Sequence, residues 1–140
     1  MITAKILAAI AAGAFFATSA LGQNAVSLVV PVENEPAARL FVDAPLPGPL
    51  TKGVAYIPFR VENLRIMPVG GPAATSVSPR VGHLHVTIND LPWQWADYGQ
   101  SNTIILVNLP RGEHKVRVEA VDPEGRVLVA QTVKFTSPGK

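Results

Sequence analysis

The 140-residue chain carries 12 Lys and Arg against 10 Asp and Glu, and no cysteine. This near-balance, without a basic stripe, excludes nucleic acid and polyanions as partners. The missing cysteine excludes a disulfide framework and a thiol nucleophile, so stability must come from packing alone.

At the N-terminus, Lys5 precedes an apolar run over residues 6–17, and Ala20-Leu21-Gly22 has the small-x-small pattern of a signal-peptidase site. Residues 1–22 therefore read as a secretory signal peptide cleaved before Gln23, leaving a domain over residues 23–140. The run is shorter than the roughly 20 residues a bilayer-spanning helix needs. No later segment is long enough either, so the mature chain is expected without a membrane span, in the periplasm or secreted. Loss of Lys5 leaves 11 basic residues, and the mature domain is almost neutral.

Beyond the leader, 13 prolines and nine of the chain's 11 glycines suit short strands joined by turns. Residues 26–32 are β-branched and predict a first strand, and residues 40–42 a short edge strand. Residues 43–53 are a loop by their breakers. In residues 54–62, Ile57, Phe59 and Val61 alternate with Tyr56, Pro58, Arg60 and Glu62. Pro58 cannot donate to a ladder, which predicts an edge strand or a bulge there. Asn63 breaks the phase. Residues 68–80 form a long connection without periodicity.

The next segment, Gly82-His83-Leu84-His85-Val86-Thr87-Ile88-Asn89-Asp90, is the most informative. Leu84, Val86 and Ile88 fall on one strand face, and His83, His85, Thr87 and Asn89 on the other. Residues 90–102 read as an aromatic loop with Trp93, Trp95 and Tyr98. Residues 103–108 predict a strand, and Leu109-Pro110-Arg111-Gly112 a turn. Val116, Val118 and Ala120 then alternate with Lys115, Arg117 and Glu119. Asp122-Pro123-Glu124-Gly125 fits a type I turn, and Val127, Val129, Val133 and Phe135 share one face of the returning strand. About seven strands without a helical period predict one antiparallel, immunoglobulin-like β-sandwich.

Gly82-His83-Leu84-His85-Val86, Asp90-Leu91-Pro92-Trp93 and Leu109-Pro110-Arg111-Gly112-Glu113-His114-Lys115-Val116 resemble a family of small exported bacterial proteins of unknown function. The likeness runs from about residue 53 to 135. A more distant set of exported sandwiches is similar in layout, with Phe-x-Val, Gly-His-x-His and Leu-Pro-x-Gly-x-His, and carries further histidines between the last two motifs. Residues 90–102 of this chain contain none. The resemblance implies an exported immunoglobulin-like sandwich and brings no established activity.

Three site readings follow. His83 and His85 project the same way and can chelate a transition metal, Zn or Cu(II), if a third ligand joins them. The register expected for an immunoglobulin-like sheet sets Glu119 beside His83 and Arg117 beside His85. Glu119 then completes a two-histidine, one-carboxylate set. The same register puts His114 near Ile88, pointing inward, in a turn-bonding role. The alternative is a polar outer face whose imidazoles bond to neighbouring strands. Trp93, Trp95 and Tyr98, with Asp97, are a second candidate, a surface for a carbohydrate or a protein partner; alternatively, one tryptophan folds back over the open end of the sandwich. Catalysis has no motif to support it. The sequence thus predicts a monomeric, non-catalytic, exported binding or accessory module, with periplasmic metal binding through His83 and His85 as the alternative. Intact-mass analysis of exported protein should find Gln23 as the first residue; a mass retaining residues 1–22 would overturn the leader assignment.

Overall fold

The computed structural model describes residues 30–31, 35–91 and 94–139. The expected leader, most of the expected first strand and Trp93 lie outside the described residues.

In chain order the strands are β1 (Val30–Pro31), β2 (Arg39–Val42), β3 (Ala55–Glu62), β4 (Arg65–Ile66), β5 (Val77–Ser78), β6 (Val81–Ile88), β7 (Trp95–Asp97), β8 (Thr103–Leu106), β9 (Gly112–Val121) and β10 (Val127–Ser137). One helical turn, α1 (Pro47–Leu50), interrupts the loop after β2, and a 3₁₀ turn spans Pro72–Ser76. No helix among the described residues is long and apolar enough to cross a membrane.

Two sheets pack together as an all-β sandwich. One runs β10-β9-β6-β4, with β7 also on β6; the other runs β2-β3-β8. β1 and β5 form a separate two-stranded ribbon. The core fills from alternate positions of both sheets. Ala55, Ile57 and Phe59 of β3 and Ile104 and Leu106 of β8 meet Leu84 and Val86 of β6 and Val116, Val118 and Ala120 of β9. The alternation read from the sequence is the buried set, as expected where one face of each sheet is apolar.

Four local readings need correction. First, β3 is the central strand of its sheet, not an edge. Pro58 is tolerated because β2 and β8 cover different halves of β3. The Pro58 carbonyl accepts from Asp43 N, just past the end of β2, so the donor that proline lacks falls where the β2 ladder stops. Second, residues 90–102 are not all loop, because Trp95–Asp97 adds β7 to β6. Third, the pairing is not wholly antiparallel. Arg65 and Ile66 run parallel to Val81 and Gly82, made possible by the long connection between them. Fourth, Val127 leaves the apolar face of β10. A register irregularity between Val127 and Val129 breaks the phase, leaving Val127 exposed while Val129, Val133 and Phe135 pack on the core.

The β9–β10 hairpin closes as predicted. Gly125 N donates to Asp122 O at 2.9 Å, and Gly125 takes the positive φ of 81° that follows the turn. The Asp122 carboxylate accepts from Glu124 N and Arg126 N, both at 2.9 Å.

Leu84 is fully buried between the sheets. Leu84→Ala should cost about 2–5 kcal/mol, and exposed Lys134→Ala less than about 0.5 kcal/mol. Urea midpoints measure the difference; similar midpoints would contradict the strand phase.

Candidate functional site

The site begins with a glycine. A β-carbon on Gly82 would lie 2.1 Å from the Val121 carbonyl oxygen and 3.0 Å from Leu64 Cδ1. Only glycine allows β6 and β9 to approach this closely. The Gly82 carbonyl also accepts from Met67 N at 2.8 Å. The glycine of the Gly-His-x-His motif therefore fixes where His83 stands.

From Gly82 the ladder sets the register. His83 opposes Val121, His85 opposes Glu119, and Thr87 opposes Arg117. The sequence-based register was displaced by two residues, which preserves faces but changes neighbours. Glu119 stands beside His85 and not His83, and Arg117 opposes Thr87. Arg117 also takes up Glu119, with Nε and Nη2 at 2.8 and 2.7 Å from Oε1. Among the described residues, no three His, Cys, Asp or Glu side chains form a metal-ligating group.

The imidazoles converge. Nε2 of His83 and Nε2 of His85 are 3.0 Å apart, and the ring centroids 4.9 Å apart. β7 covers them. Its outward phase brings Gln94 and Tyr98 to the histidine face. The Tyr98 ring lies 4.7 Å from that of His83, and Gln94 Nε2 lies 3.2 Å from His85 Nδ1. From the other side, Gly125 of the hairpin turn approaches His85. A β-carbon there would sit 3.8 Å from His85 Cε1. His83 is left only 6% exposed on what would otherwise be a solvent-facing strand surface.

The Gln94 carboxamide bridges Thr87 and His85 Nδ1, and the two imidazoles share a hydrogen bond between their Nε2 atoms. His83 Nδ1 is buried without a hydrogen-bond partner. Burial lowers the His83 pKa, and the neighbouring His85 lowers it further, against an opposing pull from Asp122.

The aromatic segment meets the histidine pair through Tyr98. Trp95 opposes Val86 and packs against the core, and Asp97 is turned to Gly99 N at 2.7 Å. Tyr98 faces the imidazoles and is 42% exposed. Sequence reading missed Gln94 as a partner of His85, although the alternation of Gln94, Ala96 and Tyr98 against Trp95 and Asp97 carried the signal.

His114 lies elsewhere, as expected. It is buried at the start of β9, where Nε2 donates to Pro110 O at 2.9 Å and Nδ1 accepts from Asn89 Nδ2 at 3.1 Å. The histidine of Leu-Pro-x-Gly-x-His thus ties its own turn to the end of β6.

Fold and site together define a small all-β sandwich with a covered imidazole pair on the outer face of one sheet. The chain belongs to the DUF6130 family, a family of unknown function whose profile matches residues 1–140. No curated protein and no solved structure matches it.

His83 is harder to protonate folded than unfolded, where its pKa is about 6.5. The unfolded chain therefore takes up more protons as pH falls. The stability due to neutral His83 is present above that pH and is lost as pH drops toward the lowered folded value. The melting temperature should fall between about pH 7 and pH 5, and His83→Gln should flatten that slope. Equal slopes would show that His83 does not carry the dependence.

Proposed function

We propose that the protein is an exported, non-catalytic, immunoglobulin-like binding module whose ligand is a divalent transition-metal ion held by His83 and His85. The observation that carries this reading is the 3.0 Å separation of the two Nε2 atoms. With metal–nitrogen bonds of about 2.0–2.1 Å, an ion shared by both would subtend an angle of about 94°. That angle suits tetragonal Cu(II) better than tetrahedral Zn(II), and Cu(II) also leads the general order of affinity. Glu119 is committed to Arg117, so the reading rests on two imidazoles, with the remaining coordination positions left to water or a donor from another molecule.

A separate aromatic surface for a carbohydrate or protein is less well supported. Trp95 packs on the core, and Tyr98 lies over His83.

Titration with Cu(II), and separately with Zn(II), tests the reading. An ion that binds only the folded state stabilises it by about 2.7 kcal/mol at a free concentration 100 times its Kd. The wild type should melt higher with Cu(II). His83→Ala and His85→Ala should lose the shift, and His114→Ala should keep it, although its own melting point is lower. The shift should weaken as pH falls, because a protonated imidazole cannot ligate. No shift in the wild type, or a shift that survives loss of both histidines, rejects the metal reading.

A further inference from the structure

We propose that β8 is a self-association edge, to which a second copy of this chain adds its own β8 across a twofold axis at Ile105. The imidazole pair, on the other sheet, takes no part. The backbone carries the inference. β8 is the outer strand of its sheet and pairs only with β3 among the described residues. Asn102 O accepts from Phe59 N at 2.9 Å. In an antiparallel ladder, bonded pairs alternate with unbonded ones. Along this register Ile104 and Leu106 therefore bond to Ile57 and Ala55, and the N–H and C=O groups of Thr103 and Ile105 face away from β3. The side chains follow the same parity. Ile104 and Leu106 are buried, while Ile105 is 54% and Val107 62% exposed, the two highest values among the exposed large apolar residues described. Tyr56 lies opposite Ile105 and lines a cleft with Val54, so the apolar strip continues onto β3.

Charge selects the occupant. Residues 102–108 read Asn-Thr-Ile-Ile-Leu-Val-Asn and carry none. Among the described residues, each other outer strand of the two packed sheets carries a charged side chain: Arg39 on β2, Arg65 on β4, Asp97 on β7 and Lys134 on β10. Like charges set opposite one another destabilise a strand pair. Charge, proline and bulges are the usual guards of an outer strand, and β8 has none of them. A copy of β8 thus meets neither repulsion nor a missing donor.

Antiparallel pairing about Ile105 closes on itself. The Ile105 N–H of each chain donates to the Ile105 carbonyl of the other, and Thr103 of each comes opposite Val107 of the other. Thr103 O already accepts from Ser101 Oγ at 3.1 Å, and a carbonyl has a second lone pair to offer. Both chains use the same patch, so association stops at two. The strand supplies far fewer than the roughly 20–30 residues a side of a standard interface. The dissociation constant is therefore about 10 μM to 1 mM, and the monomer expected from the sequence is the dilute form.

Analytical ultracentrifugation of the mature chain across that concentration range tests this. The mass should rise from one chain to two and no further. Ile105→Lys and Ile105→Glu should each stay monomeric at the highest concentration, with melting temperatures near that of the wild type, because the side chain they replace is exposed. An equimolar mixture of the two should dimerise, since opposite charges then meet at the axis. Lys134→Glu on β10 should dimerise as the wild type does. By hydrogen exchange, the Ile105 amide should slow as concentration rises, while the Ile104 amide is protected throughout. A wild type that is monomeric at about 1 mM, a dimer that survives Ile105→Lys, or a charge-swapped mixture that fails to pair overturns the proposal.

Discussion

The antiparallel ladder between β6 and β9 is the constraint on which the rest depends. It sets Leu84 and Val86 beside Ala120 and Val118 on the inner face, closing the core. The same pairing sets His83 and His85 on the outer face. A slip of one residue would exchange the two faces, burying imidazoles in the core and exposing valines. Both ends of the ladder are pinned. At one end, Gly82 lets the strands approach at Val121. At the other, Asn89 exchanges bonds with Lys115 through its backbone N–H and its side-chain oxygen, both at 2.8 Å. His114 reinforces that second clasp from the Pro110 turn.

The inner half of this arrangement was legible in the sequence. Period-two alternation identifies Val116, Val118 and Ala120, and Leu84 and Val86, because burial acts on each residue by itself. The Asp-Pro-x-Gly turn was legible for a similar reason: the chemistry of four adjacent residues decides it. The register of β6 against β9 was not. It is set by how residues 89–115 span the gap between the strands, which no single residue encodes. Strand β7 was hidden by its short length and by the breakers around it. The place of Pro58 depended on β2 ending at Val42, information carried by another strand.

The candidate site was legible as residue types and illegible as geometry. His-x-His predicts two imidazoles on one face but not their depth of burial. That depth comes from Tyr98, just after β7, and from the hairpin turn at Gly125, brought over the pair from opposite sides. Covering the pair has a cost. Desolvation works against the charged form of His83, and one ring nitrogen is left without a partner. A chain selected only for stability would place an apolar side chain there. An unpaired polar atom kept in a covered position is the kind of local frustration found where a molecule must do something besides fold.

The bulge in β10 has a consequence for the molecule among its neighbours. β10 is the outer strand of its sheet among the described residues, and with 11 residues it is long for that position. A straight strand of that length offers a row of backbone donors and acceptors to any passing chain, the template from which ribbons of stacked molecules grow. The irregularity at Val127–Val129 turns part of that row out of line. Beyond it, exposed Gln131, Thr132, Lys134 and Thr136 surround the remainder with hydrated side chains. A kink of one residue, which interrupts the apolar face of β10, thus makes the rim of the sheet a poor seed for polymerisation.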